Sequence, residues 1–186
     1  MGAGEGALTQ KLHNMGHHMQ ACDFSPESFK FPPVTCDEVD ITKPFPYAVE
    51  VTEHILDHET FFSEINRILK PGGELYISTP NILSMKSRFR FLFQGFPYGF
   101  KPLDMKQYDG MQHVASLSFN QYNYLALKYG FMEVEYGIDR RQSTSRWLRV
   151  LMFPLMVLVH KIKGYSPIHN QKELLLGRLL FMVFSK

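Results

Sequence analysis

Alternating glycines followed at once by a helical pattern constrain this fold more than any other feature of the chain. Gly2, Gly4 and Gly6 stand directly before residues 7–15, whose apolar side chains recur at helical spacing. Glycine permits unusual backbone torsions and close approach to a ligand, and a helix N-terminus offers free N–H groups. The pattern favours a carboxylate or phosphate ligand at this loop, and a flexible N-terminus is the alternative.

Strand and helix patterns alternate along the 186 residues, which predicts one domain with a parallel α/β sheet. The predicted helices include one from Asp57, as N-cap, to residue 70, and one that opens with a Ser118–Gln121 capping box. Residues 82–112 are expected to be irregular. Strands are predicted at 18–22, 34–39, 47–51, 74–78, 131–136 and 179–184.

Composition restricts the cellular setting more than the partner. The net charge of +2 indicates no particular class of partner. Cys22 and Cys36 are too few for a disulfide scaffold, so free thiols in a reducing cytosol are expected. The chain opens without a secretory pattern and has no run of about 18 apolar residues, so we predict a cytoplasmic location without a spanning helix.

Acidic residues stand where two predicted strands end. Asp23 follows Gly2 at about the separation at which dinucleotide-type folds place the acid that binds a ribose. Asp40 ends the next predicted strand, where a carboxylate can accept a hydrogen bond from an adenine amino group. Together with the glycine loop, the two acids indicate an adenosine ligand, although each alone is typical of a turn.

These segments together resemble the class I S-adenosylmethionine-dependent methyltransferases of types 11 and 23. The resemblance covers residues 1–138 and is carried by GAGEGALTQKL, ACDFSPE, VDITKPFPY, VEVTEHILDHETFFSEINRILKPGGELYISTPN and HVASLSFNQYNYLALKYGFMEVEY. It implies a Rossmann-like, doubly wound, mostly parallel sheet with helices on both faces, and S-adenosyl-L-methionine as cofactor. It assigns the methionine end to Gly2, Gly4 and Gly6, the ribose to Asp23 and the adenine to Asp40.

The sequence departs from that family at two places. The family has an apolar strand before the glycine loop, whereas here Met1 directly precedes Gly2. It also has a longer connection and strand where Tyr47 here runs almost directly into Val49. Because both pieces belong to the middle of the sheet, the sheet is expected to be incomplete and the cofactor affinity to be affected.

A second cluster of polar residues, Glu50-Val-Thr-Glu53-His54, offers two carboxylates and an imidazole. It resembles the metal-binding segment of methyltransferases that act on polyprenyl catechols or on the 2′-hydroxyl at RNA ends, and His113 stands where the RNA group completes its site. The resemblance implies Mg²⁺ on Glu50, Glu53, His54 and His113, with His54 or His113 as the alternative general base. A histidine that only packs or caps the next helix is the competing interpretation.

Two later segments have an unusual composition. Residues 145–160 form an apolar segment that is too short to span and has cations on both sides, between positions 140 and 163. This composition favours contact of 146–163 with a membrane interface or a lipid-bearing substrate; a cover helix or dimer contact is the alternative. Residues 82–112 are basic and aromatic, which is typical of a substrate-side insertion. Such a segment could bind a hydrophobic substrate or stack on nucleic acid bases, and packing of the loop against the protein is the alternative. We treat 140–165 as a second, helical insertion.

The combined hypothesis is S-adenosylmethionine-dependent methyl transfer to an oxygen of a small or lipid-linked acceptor, with nucleic acid less favoured. The alternative is a non-catalytic remnant that binds a membrane or partner. A nicotinamide-dependent oxidoreductase is disfavoured because the glycine loop lacks the G-x-G-x-x-G spacing. The sequence identifies neither the acceptor nor the oligomeric state.

Overall fold

The computed structural model describes residues 3–23, 25–39, 52–107, 112–115, 117–132, 134–164 and 168–186. Six helices lie in these ranges: α1 (Ala7–Asn14), α2 (His58–Ile68), α3 (Met85–Gln94), α4 (Phe119–Lys128), α5 (Ser143–Lys163) and α6 (Lys172–Leu176). Five strands accompany them: β1 (Ala21–Asp23), β2 (Cys36–Glu38), β3 (Glu74–Pro80), β4 (Val134–Ile138) and β5 (Leu179–Ser185). None of these helices is long and apolar enough to cross a membrane.

The strands form two sheets within the described ranges. β1 and β2 pair in parallel, with Ala21 opposite Cys36 and Asp23 opposite Glu38. In the second sheet, β5 lies between β3 and β4 and runs antiparallel to both. β3 and β4 therefore point the same way, and β5 runs between them in the opposite direction. The Rossmann-like α/β class is confirmed.

No strand joins the two sheets in the described part of the chain. The predicted strand at 47–51 lies outside the described residues. Side chains nevertheless form one core across the gap, because Cys22 of β1 and Val39 belong to the same buried cluster as Ile55, Phe62 and Phe184. The apolar core thus connects the sheets where no backbone ladder does.

Several local predictions are confirmed. α2 begins after Asp57, whose carboxylate accepts the Thr60 N–H at 3.0 Å. α4 begins with the predicted capping box between Ser118 and Gln121. The buried stripe of α2, which includes Phe61, Phe62 and Ile65, packs into the core as its spacing indicates. Cys22 and Cys36 are free thiols.

The prediction that residues 82–112 are irregular was wrong for α3. The Ser84 hydroxyl caps α3 by accepting the Ser87 N–H, and Gly95 ends it with a φ of 72°. The apolar residues of α3 do not form a single stripe, because Met85 packs inward whereas Phe91 remains exposed. The periodicity of the sequence therefore gave no helix signal. α6 was missed as well, since its short apolar run also fits a strand.

Candidate active site

The glycine loop and the predicted ribose acid are adjacent in the structure. The Gly4 N–H donates to Asp23 Oδ2 at 2.8 Å, and the Ser25 N–H donates to Asp23 Oδ1 at 3.0 Å. The Ala3 N–H also reaches the Cys22 carbonyl at the end of β1. The loop therefore lies along the carboxyl end of β1, and each carboxylate oxygen keeps a further lone pair for another donor.

The two described glycines of the loop serve different purposes. Gly6 has a φ of 91°, and a Cβ there would lie 2.8 Å from the Phe29 ring, so glycine is required for packing as well as for the turn. Gly4 has a φ of 50° and open space on its Cβ side. Gly2 and Asp40, the other expected cofactor residues, lie outside the described residues.

The N-terminus of α1 is suited to an anionic group. Its N-cap, Gly6, provides no side-chain oxygen, and the first turn contains no acidic residue. The free N–H groups and the positive end of the helix dipole are therefore not compensated by a side chain among the described residues. An amino-acid carboxylate at this position would meet free backbone N–H donors and the positive electrostatic potential of the helix N-terminus.

A short 3-10 turn, Thr52–His54, carries the second candidate cluster and is held by two helices. His58 of α2 places its Nε2 2.9 Å from the Thr52 carbonyl. Tyr122 of α4 donates its hydroxyl to Thr52 Oγ1 at 2.9 Å. Burial raises the pKa of Tyr122 to about 12, so this phenol stays protonated at neutral pH and remains a donor.

Backbone hydrogen bonds bring His113 to this turn. The N–H groups of Val114 and Ala115 both donate to the Glu53 carbonyl, at 2.9 and 3.1 Å. As a result the rings of His54 and His113 meet edge to face with centroids 4.8 Å apart. Phe100, which is buried, packs its ring against His113 on another side. The structure thus brings together the two histidines that the sequence singled out.

Hydrogen bonds orient both imidazoles. Nδ1 of His54 lies 3.0 Å from the Gln112 carbonyl, and Nδ1 of His113 lies 2.9 Å from the Gly99 carbonyl. A carbonyl accepts only, so in the neutral ring Nδ1 carries the proton and Nε2 presents its lone pair. This arrangement is common for histidines that bind a metal ion or accept a proton.

Glu53 completes the cluster. Its Oε2 is buried and has no hydrogen-bond partner within the described part of the chain. One ligand atom each from Glu53, His54 and His113 lie within 4.8 Å of one another. Glu50, the fourth expected ligand, lies outside the described residues. A buried carboxylate oxygen without a partner is costly, and a cation or a hydroxyl donor would satisfy it.

Asp57, and not His54, caps α2, and His58 supports the turn from the α2 side. The packing interpretation of His54 is consistent with its ring contact to His113 and stays an alternative to the catalytic one. Sequence reasoning missed the supporting residues Thr52, His58 and Tyr122. The capping box did place Tyr122 on a helix, but no pattern in the sequence indicates its hydrogen bond to a residue 70 positions away.

Comparisons with known proteins concern the fold and the domain, not the individual site residues. Residues 1–77 match the family model of a methyltransferase domain. The whole chain superposes on a SAM-dependent methyltransferase from Archaeoglobus fulgidus, with a TM-score of 0.63, 14% identity and 83% of that chain covered. A second structure, from Thermotoga maritima, is described as a possible histamine N-methyltransferase; its TM-score is 0.60, at 17% identity and 79% coverage of that chain.

A third similar structure is phosphoethanolamine N-methyltransferase 2 of Haemonchus contortus in complex with S-adenosyl-L-methionine. The whole chain aligns with 47% of it, with a TM-score of 0.54 and 17% identity. No curated protein matches the sequence. At these identities the structural neighbours establish the fold, and the family match adds the methyltransferase domain over residues 1–77.

Proposed function

We propose that this chain, whose residues 1–77 match a methyltransferase domain, is a class I S-adenosylmethionine-dependent methyltransferase. In this proposal it methylates an oxygen of a small or lipid-linked acceptor at Glu53, His54 and His113. The observation that carries this proposal is the orphaned Glu53 Oε2 beside two imidazoles whose Nδ1 atoms are already hydrogen-bonded. Such a cluster is suited to taking a proton from a hydroxyl or to holding a cation beside it.

The residues around the glycine loop fit the methionine end and the ribose of S-adenosylmethionine. The uncapped N-terminus of α1 suits the carboxylate, and Asp23 keeps acceptor capacity beside Gly4 for ribose hydroxyls. The cofactor would supply a methyl group on a positively charged sulfur, which an oxygen nucleophile attacks in line. Cys22 of β1 and Ile55, which follows His54, share one core, so the cofactor side and the histidine side are parts of one packed body.

Proton removal is the chemical contribution of the histidine side. A hydroxyl is a weak nucleophile until its proton leaves, and Nε2 of His54 or His113 presents a lone pair for that proton. Glu53 next to the rings would stabilise the imidazolium that forms. The fixed Nδ1 contacts hold the rings in place, which reduces the ordering required in the transition state.

The same three residues fit a divalent cation, with one carboxylate oxygen and two imidazole nitrogens as ligands. Bound there, Mg²⁺ or Mn²⁺ would lower the pKa of the acceptor hydroxyl. Mn²⁺ suits the mixed nitrogen and oxygen set better than Mg²⁺, which prefers oxygen alone. Glu50 would add a second carboxylate.

Two of the three structural neighbours described above have names that refer to nitrogen acceptors, so the acceptor atom is the part of the proposal to test first. Tritiated S-adenosylmethionine is incubated with the protein and a catechol, or with an aliphatic amine of similar size. We expect label on the catechol oxygen and about 10²- to 10⁴-fold slower transfer in His54→Gln or His113→Gln.

His17→Gln is the matched control, since His17 is exposed and lies far along the chain from the cluster. It should transfer label at the wild-type rate. Label on the amine alone, or equal rates in all three histidine variants, would contradict an oxygen-directed role of the cluster. Transfer to neither acceptor with intact cofactor binding would contradict the small-acceptor part and leave lipid-linked hydroxyls as the next substrates to assay.

A further inference from the structure

Helix α5 exposes far more apolar surface than it buries. It contacts the rest of the protein along a narrow line, where Ser145 is buried and Leu148, Met152 and Met156 pack on a small cluster with Met85 and Leu175. Large apolar side chains elsewhere on the helix are exposed: Trp147, Val150, Leu151, Phe153, Leu155, Val157, Leu158, Val159 and Ile162. A run of nine large exposed apolar side chains on one helix is typical of an interaction surface.

Helix α3 extends the same surface. It packs beside α5, and Phe91, Leu92 and Phe93 near its C-terminal end are between 60% and 77% exposed. Between the two helices lies an open apolar groove of about 430 Å³, lined mainly by methionine, leucine and phenylalanine side chains. The groove is of a size to receive one hydrocarbon chain. We call the exposed parts of both helices, with this groove, the α3–α5 face.

Basic residues predominate in and around the α3–α5 face, although Arg140 and Arg141, just before α5, lie 3.9 and 3.8 Å from the Asp139 and Glu173 carboxylates. Residues 82–103 and 140–171 contain ten of the chain's 20 lysines and arginines and none of its 18 acidic residues. Arg88 stands beside the groove, and its guanidinium donates to the Leu83 and His169 carbonyls and the Asn170 amide oxygen, so its charge faces no carboxylate there. The cations are Lys86, Arg88, Arg90, Lys101, Arg140, Arg141, Arg146, Arg149, Lys161 and Lys163.

We propose that the α3–α5 face docks on the surface of an anionic lipid bilayer, with α5 lying in the interface plane. Exposed apolar side chains would enter the acyl boundary while the basic residues contact anionic headgroups, the combination that characterises interfacial helices. Trp147, 77% exposed near the start of α5, belongs to the residue type favoured at that depth. The charge argues against a second copy as occupant, because two like-charged faces would repel each other.

The bilayer proposal does not depend on methyl transfer, and its test needs no substrate. Trp147 is the chain's one tryptophan, so its fluorescence reports directly on the environment of α5. The full chain is mixed with phosphatidylcholine vesicles, with or without phosphatidylglycerol, and its emission and cosedimentation are recorded. We expect a blue shift and sedimentation with the anionic vesicles, and a decrease of both as salt is raised.

Two variants separate charge from apolar insertion. The double variant Arg146→Glu, Lys161→Glu should lower the partition of the protein onto phosphatidylglycerol vesicles at least about tenfold. The control is Lys11→Glu, Lys70→Glu, because both lysines are exposed and lie outside the face; it should bind as the wild type does. Leu151→Gln with Leu158→Gln removes exposed apolar groups and should abolish the blue shift. Circular dichroism and the Trp147 spectrum without vesicles verify that each variant folds.

Three results would overturn the proposal. The first is no binding of the folded wild type to phosphatidylglycerol vesicles. The second is equal binding of the Arg146→Glu, Lys161→Glu variant and the wild type. The third is a wild-type protein that forms a dimer and does not bind vesicles, and whose dimer dissociates in the Leu151→Gln, Leu158→Gln variant. This result would assign the face to a second copy of the chain. Binding of S-adenosylhomocysteine, measured on the same samples, reports separately on the proposed function.

Discussion

The imidazoles of His54 and His113 lie edge to face with their centroids 4.8 Å apart, because the amides that follow His113 bond to the carbonyl that precedes His54. The backbone therefore determines the distance between the two rings, and the Gln112 and Gly99 carbonyls determine their orientation. A site whose shape is set by main-chain contacts is preorganised, and it should remain assembled when single side chains of the cluster are changed.

The first prediction concerns Glu53 and a metal ion. Wild-type protein should bind Mn²⁺, followed by electron paramagnetic resonance, and Glu53→Gln should weaken that binding by at least about tenfold because a charged ligand is lost. Glu135→Gln, an exposed carboxylate on β4, is the control and should bind as the wild type does. Identical Mn²⁺ binding by all three proteins would exclude Glu53 as a ligand.

Glu53→Gln, which should weaken metal binding, should not destabilise the metal-free protein. Without metal, Glu53→Gln replaces a carboxylate whose buried Oε2 has no hydrogen-bond partner among the described residues, so the free energy of unfolding should equal or exceed that of the wild type. Urea titration in the presence of a chelator measures this. A loss of stability would show that Glu53 is a structural residue.

The sequence was sufficient to identify most elements whose signals are local. The Asp57 cap, the Ser118–Gln121 box and the continuous apolar run of β5 each depend on neighbours within a few positions, and all are confirmed. α3 could not be found from periodicity, because a helix that packs on one narrow line and exposes aromatic residues has no single apolar stripe. Its Ser84 cap and Gly95 end were signals that the prediction did not use.

The next prediction follows from the buried phenol of Tyr122. Its pKa rises from 10.0 to about 12 on folding, so above pH 10.0 the unfolded chain releases this proton first. The unfolded state then binds fewer protons than the folded state, and stability falls as pH rises through this window, by up to about 1.4 kcal/mol per pH unit.

Tyr122→Phe isolates this effect. Below pH 10.0 the variant should have a free energy of unfolding about 1 kcal/mol lower than the wild type, because it lacks the hydrogen bond to Thr52. Between pH 10.0 and about 12 its stability should fall less steeply than that of the wild type. Urea titrations of both proteins across that range measure the difference. Parallel decreases would show that Tyr122 ionises equally in both states.

Gly6 and Gly4 form a matched pair for the glycine loop. Gly6→Ala should destabilise the protein by about 1–3 kcal/mol, since its φ is 91° and the new methyl group would meet Phe29. Gly4 also has a positive φ, but a Cβ there would meet no other atom, so Gly4→Ala should lower the free energy of unfolding by less. Thermal unfolding compares the two, and an equal cost would show that the Phe29 contact relaxes freely.

Asn81 links β3 to α6 through a buried side chain. Its amide donates to the Leu174 and Gly177 carbonyls at 2.8 and 3.0 Å, and its Oδ1 accepts the Leu83 N–H at 3.0 Å. Asn81→Ala should cost at least about 2 kcal/mol of unfolding free energy, because three buried backbone groups lose their partner. Asn66→Ala, whose Nδ2 has no hydrogen-bond partner among the described residues, should cost less.

The site could be predicted from the sequence only in part, for a physical reason. The spacing of Gly2 and Asp23 and the residue types around Glu53 indicated which segments belong together. The supports of the site are long-range contacts, such as the Tyr122 hydroxyl on Thr52 and the His113 Nδ1 beside the Gly99 carbonyl. No local pattern encodes such pairs, because they form only once the core has brought the segments together.

Isothermal titration with S-adenosylhomocysteine tests the central claim most directly, because the proposed methyl transfer would require the glycine loop and Asp23 to bind the cofactor together. We predict one site of micromolar affinity, which Asp23→Ala abolishes and Glu38→Gln, an exposed acid at the end of the neighbouring strand, leaves intact. No heat of binding at millimolar ligand would contradict the account and support the non-catalytic alternative.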